Sequence, residues 1–198
     1  MIRAALVLAL AAAAGFACGG RTPDTHYYDL ASAARRQGTG GPVLAIEPLS
    51  ADEPYDDERM IYRENPYRLD YYHYHRWSGP TGALVSRQLE RALEASGRFG
   101  AVLRDDPKDA AYVLGGRVVA LEEVDVSEHR WVGRVALELH LREAASGDVV
   151  WSKKLEETEP VDRQTPEGVA RAISRALDRI ARRLAPELGR IAQAAPNH

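Results

Sequence analysis

Three alternating segments in the second half of the chain constrain the fold more than any other feature. The most regular is 131–142, where one side of a strand collects the apolar residues Trp131, Val135, Leu137, Leu139 and Leu141. The other side is polar and includes His140, which we expect at the surface. Tyr112–Val126 precedes this segment and Val149–Leu155 follows it, with short polar turns between them. Consecutive strands joined by tight turns predict an antiparallel meander.

The first of these strands contains two consecutive glycines. Its alternation places one set of residues on a common side: Leu114, Gly116, Val118 and Ala120. Gly115-Gly116 predicts either a bulge or a close approach of two backbones, since glycine in a strand interior is typical of both.

The first half of the chain supplies further strands. Val43–Ile46 is apolar without alternation, as in a strand covered on both faces, and Tyr27–Leu30 is predicted to be a short edge strand. Arg59–Arg63 and Arg68–Trp77 are predicted to form a hairpin, because the Asn-Pro dipeptide between them favours a turn. Simple alternation along the second strand places five residues on one face: Leu69, Tyr71, His73, His75 and Trp77.

Two helices complete the prediction. Leu84–Ser96 has an apolar stripe and is followed by Gly97 at a capping position. After a polar linker at 156–164, Thr165-Pro166 begins a helix whose apolar seam is Val169, Ile173, Leu177, Ile180 and Leu184, and Pro186 predicts a kink or break. The fold class is therefore α+β, an antiparallel sheet of about five to seven strands with both helices packed on one face.

The opposite face of the final helix is basic and carries Arg171, Arg175, Arg179, Arg182 and Arg183. Such a face is usually solvated. The alternative is contact with anionic lipid headgroups, which attract basic residues near a membrane surface.

The predicted hairpin has the most unusual composition of the chain, with four tyrosines, one tryptophan and two histidines between Tyr67 and Trp77. These aromatic residues either pack into the core or form an interaction surface, since Tyr, Trp and Arg are concentrated at binding hot spots. The candidate partner-binding residues are Tyr62, Arg63, Tyr72, Tyr74, Arg76 and Trp77. The His73-x-His75 pair could contribute to a zinc site, but no third and fourth ligand is suitably spaced, so we predict no metal.

The N-terminus indicates export. Arg3 precedes an apolar run from Ala4 to Ala14, and the single cysteine of the chain, Cys18, follows shortly after. The run is too short for a permanent membrane span and is typical of a signal peptide, here residues 1–17. We expect Cys18 to be the lipidated first residue of the mature protein, although cleavage after Ala17 by the general signal peptidase is the alternative. Residues 18–26 are then a lipidated tether and 27–198 a single domain.

Composition excludes several classes of function. The net charge of −3 offers no basic excess for nucleic acid, and one cysteine permits no internal disulfide bond. No nucleophile elbow, zinc-protease motif or phosphate-binding loop occurs, and adjacent carboxylates such as Glu122-Glu123 would point to opposite faces of a strand. We therefore predict a non-enzymatic protein without a cofactor.

Taken together, the short motifs of the mature chain resemble those of the ABC-type transport auxiliary lipoproteins, a group that includes the paraquat-inducible lipoprotein C type. The resemblance is carried, in order, by 27–30 (YYDL), 44–48 (LAIEP), 60–63 (MIYR), 71–77 (YYHYHRW), 96–99 (SGRF), 111–114 (AYVL), 147–151 (GDVVW) and the C-terminal helix. The residues before Cys18 depart from the usual lipoprotein signal, with Gly15 and Phe16 where Leu and a small residue are common.

The resemblance implies an accessory component of an ABC transport system that carries phospholipid or another hydrophobic cargo. Its partners would be a mammalian-cell-entry (MCE) domain carrier protein and the transporter components, and it would dock the carrier to a membrane. The implied location is the Gram-negative cell envelope, lipid-anchored and facing the periplasm. Gly19 stands where Asp commonly signals inner-membrane retention, which favours the outer membrane.

Two other functions are compatible with the same pattern. One is an envelope assembly lipoprotein that partners an outer-membrane barrel, and the other is a binding module that carries lipid itself. A homo-oligomer is compatible with all three functions.

Overall fold

The computed structural model describes residues 22–31, 41–104 and 108–194, which form two helices and one sheet. The strands are β1 (His26–Tyr28), β2 (Val43–Ile46), β3 (Ser50–Ala51), β4 (Arg59–Asn65), β5 (Arg68–Trp77), β6 (Ala101–Arg104), β7 (Tyr112–Ser127), β8 (Arg130–Glu143) and β9 (Val149–Pro160). The helices are α1 (Thr81–Ala95) and α2 (Pro166–Ala194).

The sheet is organised around β7, the longest strand. One edge of β7 pairs in parallel with three short strands in succession, β2, β3 and β4, while the other edge pairs with β8 in an antiparallel ladder that β9 continues. Next to β4 lies β5, which pairs with it in an antiparallel manner. Two further pairs are parallel: β1 with β5, and β2 with β6.

The meander β7–β8–β9 and the hairpin β4–β5 are confirmed, but the prediction of a purely antiparallel sheet of five to seven strands is wrong. The sheet is mixed and has nine strands in the described residues. Alternation in a sequence specifies which side of a strand is buried, whereas the direction of a distant neighbour depends on the path of the chain between them. The parallel pairs therefore left no local signal.

Both helices pack on the same face of the sheet and share one main core with it. The apolar stripe of α1 is buried there, with Val85, Leu89 and Leu93 at 0 % exposure, and so is the predicted seam of α2. The opposite face of the sheet holds a smaller outer cluster of Tyr55, Ile61, Ala120 and Ala136.

Ala120 lies in this outer cluster and not beside Leu114 and Val118, as simple alternation predicted. The ladder between β7 and β8 shifts register between Val118 and Ala120, so one extra residue of β7 reverses the alternation and Leu121 takes the inward position. The glycine pair marks a close approach instead, because a Cβ on Gly116 would lie 2.1 Å from the carbonyl oxygen of Glu138. His140, predicted at the surface, is half-buried.

The final helix is unbroken across Pro186, so the predicted kink or break does not end it. A proline removes one backbone hydrogen bond, whereas the apolar seam continues on both sides of it through the buried residues Leu184 and Leu188. The predicted start is confirmed: Thr165 Oγ1 accepts a hydrogen bond from the backbone N–H of Gly168 at 3.1 Å.

The predicted linker at 156–164 is strand up to Pro160. Its glutamates are retained in β9 because the basic face of α2 lies against them. Arg179 contacts Glu157 and Glu159, Arg183 contacts Glu157, and Arg175 lies near Glu159. Three of the five arginines of this face therefore bind the sheet.

The signal peptide, Cys18 and the first part of the tether lie outside the described residues, and β1 already begins at His26, the last predicted tether residue. In the part of the chain that the structure describes, no helix is both long and apolar enough to cross a membrane.

Candidate functional site

The tip of the β4–β5 hairpin projects a fully solvated aromatic residue. Asn65 pairs with Arg68 across the hairpin, and its side-chain Oδ1 accepts a hydrogen bond from the backbone N–H of Tyr67 at 2.9 Å. This local bond fixes the turn that Asn-Pro predicted. It leaves the side chain of Tyr67 98 % exposed, and we call Pro66, Tyr67 and the neighbouring exposed Val126 of β7 the tip surface.

The hairpin is irregular at its centre. Arg59 pairs with Arg76 but Ile61 pairs with Tyr71, so that the four residues 72–75 of β5 lie opposite Met60 alone. Because of these extra residues, side chains of β5 after the irregularity lie on the opposite face from the one that simple alternation predicts. Leu69 and Tyr71 pack on the outer cluster, whereas Trp77, predicted on the same face, packs in the main core.

The six candidate partner-binding residues are therefore divided between surface and interior. Trp77 is 1 % exposed in the main core, so its side chain is not available to a partner in this structure. Tyr74 is exposed, and Tyr62, Arg63, Tyr72 and Arg76 are half-buried. The structure brings Tyr62 and Tyr72 together, with ring centroids 5.2 Å apart.

A buried carboxylate fixes the hairpin to the centre of the sheet. Glu122 of β7 has no exposed surface, and it accepts hydrogen bonds from Arg63 Nε at 3.1 Å, Arg134 Nη1 at 2.7 Å and the Tyr55 hydroxyl at 2.6 Å. Burial, together with the bond to Glu122, raises the pKa of Tyr55 to about 12. Two guanidinium groups compensate for the burial of one carboxylate, so this cluster is a rigid support for the hairpin.

The next residue, Glu123, points to the opposite face and is 1 % exposed, as the sequence predicted for adjacent strand carboxylates. Its Oε2 accepts a hydrogen bond from the Tyr72 hydroxyl at 2.9 Å. Burial and the neighbouring carboxyl of Asp125 raise the pKa of Glu123 to about 8. Asp125 Oδ1 is also buried and has no hydrogen-bond partner among the described residues.

These two carboxyls lie in an open pocket of about 250 Å³ between the hairpin and β8. We call it the aromatic pocket; its lining residues are Tyr62, Tyr71, Tyr72, His73, Glu123, Asp125 and Trp131. Tyr55 and Asp125 were not predicted as site residues from the sequence, and Glu122 and Glu123 were identified only as adjacent carboxylates without a role. Two adjacent carboxyls within the largely apolar stretch 118–124 were the signal that could have identified the two buried sites.

The histidines of the hairpin do not converge. His75 stacks on His26 with ring centroids 5.5 Å apart, and its Nδ1 lies 3.0 Å from the Tyr28 hydroxyl. Burial, with a contribution from His26, lowers the pKa of His75. Within residues 22–31, 41–104 and 108–194, no three His, Cys, Asp or Glu side chains are grouped to hold a metal ion.

The chain is therefore a small α+β protein with two helices on one face of a mixed sheet, in which the aromatic hairpin lies between β1 and β7. The family model of the ABC-type transport auxiliary lipoprotein component matches residues 28–185, and the chain belongs to this family, as its motifs predicted. The sequence has no significant match among curated proteins.

Solved structures share the fold. A Xanthomonas campestris protein of family DUF330 has a TM-score of 0.74 and 22 % identity, covering 85 % of this chain and 97 % of its own. An uncharacterised protein has a TM-score of 0.70 and 12 % identity over 84 % of this chain and 99 % of its own. A hypothetical protein from Chlamydia trachomatis has a TM-score of 0.53 and 8 % identity over 79 % and 100 % of the two chains.

Proposed function

We propose that this auxiliary lipoprotein is a non-catalytic docking component of an MCE-type lipid transport system, and that it holds the MCE-domain carrier protein at a membrane through its β4–β5 hairpin. The observation that carries the proposal is the family membership over residues 28–185 combined with an aromatic hairpin that ends in an exposed tyrosine. In this account residues 27–198 act as one domain and phospholipid is the cargo of the complex.

The hairpin suits protein recognition because it is both aromatic and firmly held. Tyr67 and Tyr74 offer exposed rings, and Arg63 is bound to the buried carboxylate of Glu122. A rigid element loses little conformational entropy when it binds, which favours affinity from a small contact area. Arg76, Tyr62 and Tyr72 are half-buried on the same hairpin, and Trp77 supports the hairpin from the core.

The anchor is the second part of the proposal. A diacylated and N-acylated Cys18 would hold the protein far more firmly than one acyl chain, because each buried CH₂ contributes about 0.8 kcal/mol. The eight residues that follow Cys18 in the tether, 19–26, extend to roughly 28 Å at most, so the domain would stay beside its membrane. We place it in the envelope of a Gram-negative bacterium, facing the periplasm from the outer membrane.

Self-association would strengthen docking. Several copies of the hairpin presented to one carrier assembly would raise the overall avidity without any new contact. Light scattering of the domain without its lipid would determine whether it forms such an oligomer.

The experiment is capture of partners in the native host by in-cell crosslinking, followed by purification of the tagged, membrane-anchored protein. We expect an MCE-domain protein and transporter components among the crosslinked products, and loss of the carrier in Tyr67→Ala. The matched control is Val149→Ala, which removes another exposed apolar side chain (60 % exposed) at the far edge of the sheet. Recovery of an outer-membrane barrel in place of the carrier would favour the assembly function.

The anchor is tested separately. Wild-type protein labelled with radioactive palmitate should retain the label in the membrane fraction, and Cys18→Ser should lose both the label and the sedimentation. An unlabelled wild-type protein whose mature chain begins at Cys18 would show that the general signal peptidase processes it.

A further inference from the structure

We propose that the aromatic pocket accepts the side-chain ammonium of a lysine from a protein partner. The inference rests on the proposed docking function and adds a specific contact to it. The pocket adjoins the hairpin that ends in Tyr67, and its aromatic lining includes Tyr62 of β4, Tyr72 of β5 and Trp131 of β8.

The walls suit a cation on an apolar stem. The faces of tyrosine and tryptophan rings attract ammonium groups, most strongly where water is excluded. Tyr62 and Tyr72 are tilted at 58° to each other, so their rings form a corner and not a stacked sandwich. A volume of about 250 Å³ is below the roughly 300–1,000 Å³ of pockets for drug-sized ligands and fits one inserted side chain.

The carboxyls supply the polar half of the site. Glu123 is 1 % exposed and Asp125 Oδ1 is buried without a hydrogen-bond partner in the described residues. Buried acceptors in proteins are normally paired, and a lysine ammonium provides three donors that can reach both carboxyls. The Tyr72 hydroxyl occupies one oxygen of Glu123 and keeps that carboxyl oriented.

The same lining favours lysine over a lipid headgroup. A zwitterionic headgroup brings a phosphate with its ammonium, and the described lining residues include no lysine or arginine to pair with that phosphate. The buried Asp125 Oδ1 is a hydrogen-bond acceptor and therefore cannot pair with a phosphate oxygen. A lysine from a partner introduces positive charge alone, and its four-carbon stem can lie along the aromatic walls.

The test uses n-butylammonium, the side-chain analogue of lysine, titrated into the isotopically labelled domain at constant ionic strength. We expect saturable shifts of the Trp131 indole N–H and the 123–125 amides, with a Kd of about 1–10 mM. Asp125→Asn should weaken binding at least tenfold. Glu128→Gln, which removes an exposed carboxylate in the adjacent turn, should leave it unchanged.

Three results would overturn the inference: no saturation, equal binding of n-butanol, or tighter binding of dihexanoyl phosphatidylethanolamine than of n-butylammonium. The first excludes a site, the second indicates a purely apolar cavity, and the third indicates a headgroup site. Carrier capture that depends on Tyr67 but not on Asp125 would refute the lysine contact and leave the docking function intact.

Discussion

Two neighbouring glutamates of β7 have very different surroundings. Glu122 meets Arg63, Arg134 and the Tyr55 hydroxyl, so its buried carboxylate is compensated. Glu123 meets a tyrosine hydroxyl and a second carboxyl, and its pKa rises to about 8. Because successive side chains of a strand point to opposite faces, the two groups act separately.

At the Glu122 cluster we predict that Arg63→Met destabilises the domain by about 2–4 kcal/mol, because it leaves a fully buried carboxylate with one cation fewer. Urea unfolding measures this loss. The matched control is Arg68→Met on the same hairpin, whose pairs with Glu64 and Asp70 are exposed and should contribute less than about 1 kcal/mol. Equal losses in the two variants would show that the cluster is not a support.

Glu123→Gln should change the dependence of stability on pH. The folded pKa of about 8 lies above the ordinary value of 4.5, so Glu123 supports folding below pH 4.5 and this support is lost as pH rises towards 8. The glutamine variant does not titrate, and its stability relative to wild type should rise over this window by an amount on the order of 4 kcal/mol at most.

Urea unfolding at several pH values between 4 and 9 measures this change. The control Glu128→Gln should follow the wild-type curve, since that carboxylate is exposed. A constant difference between Glu123→Gln and wild type across the window would contradict the raised pKa.

At this scale the sequence predicted which residue types stand out but not what surrounds them. The aromatic residues of β5 were correctly identified as unusual, yet simple alternation misplaced Trp77, because the irregularity opposite Met60 leaves no mark in the sequence. Tyr55 lies in a segment that resembles an exposed acidic loop, and its burial depends on Glu122, 67 residues further along the chain.

Among the elements, α2 and β8 approach each other closely at Gly133. A Cβ added to Gly133 of β8 would lie 2.9 Å from the backbone nitrogen of Ile173 and 3.0 Å from the Ala172 Cβ. The backbone of the helix cannot move as easily as a side chain. Glycine is therefore required at this position for α2 to seat its apolar seam on the sheet.

We predict that Gly133→Ala lowers the free energy of unfolding by about 1–3 kcal/mol, as is typical of overpacking in a core. Thermal and urea unfolding should both show the loss. Gly79→Ala is the matched control, since no atom lies within 4 Å of its added Cβ. If the two alanine variants were equally stable, the contact between α2 and β8 would be looser than described.

The elements with a strong local period were predictable, and those that depend on distant partners were not. The seam of α2, the stripe of α1 and the meander β7–β8–β9 follow from periodicity alone. The parallel pairing of β2, β3 and β4 with β7 does not, and neither does the extension of β9, whose glutamates are held by arginines of α2. The candidate hairpin was predicted as an element, but the aromatic pocket beside it was not, because it draws residues from four strands.

In the whole molecule, most of the main core comes from elements other than the hairpin that carries the exposed aromatic residues Tyr67 and Tyr74. The helices and the long strands enclose the main core. In the β4–β5 hairpin, Arg63 is bound to the buried Glu122 of the sheet, and Tyr67 is exposed to solvent. Such a protein can present a fixed surface close to a membrane. The family membership gives that surface a context in ABC-type transport.

The most direct test of the docking account is the equilibrium affinity between the lipid-anchored protein in nanodiscs and the purified MCE-domain carrier of the same organism. The account predicts saturable binding that Tyr67→Ala weakens at least tenfold, equivalent to about 1.4 kcal/mol, with no change in melting temperature. Absence of binding, or equal affinity of wild type and Tyr67→Ala, would contradict it.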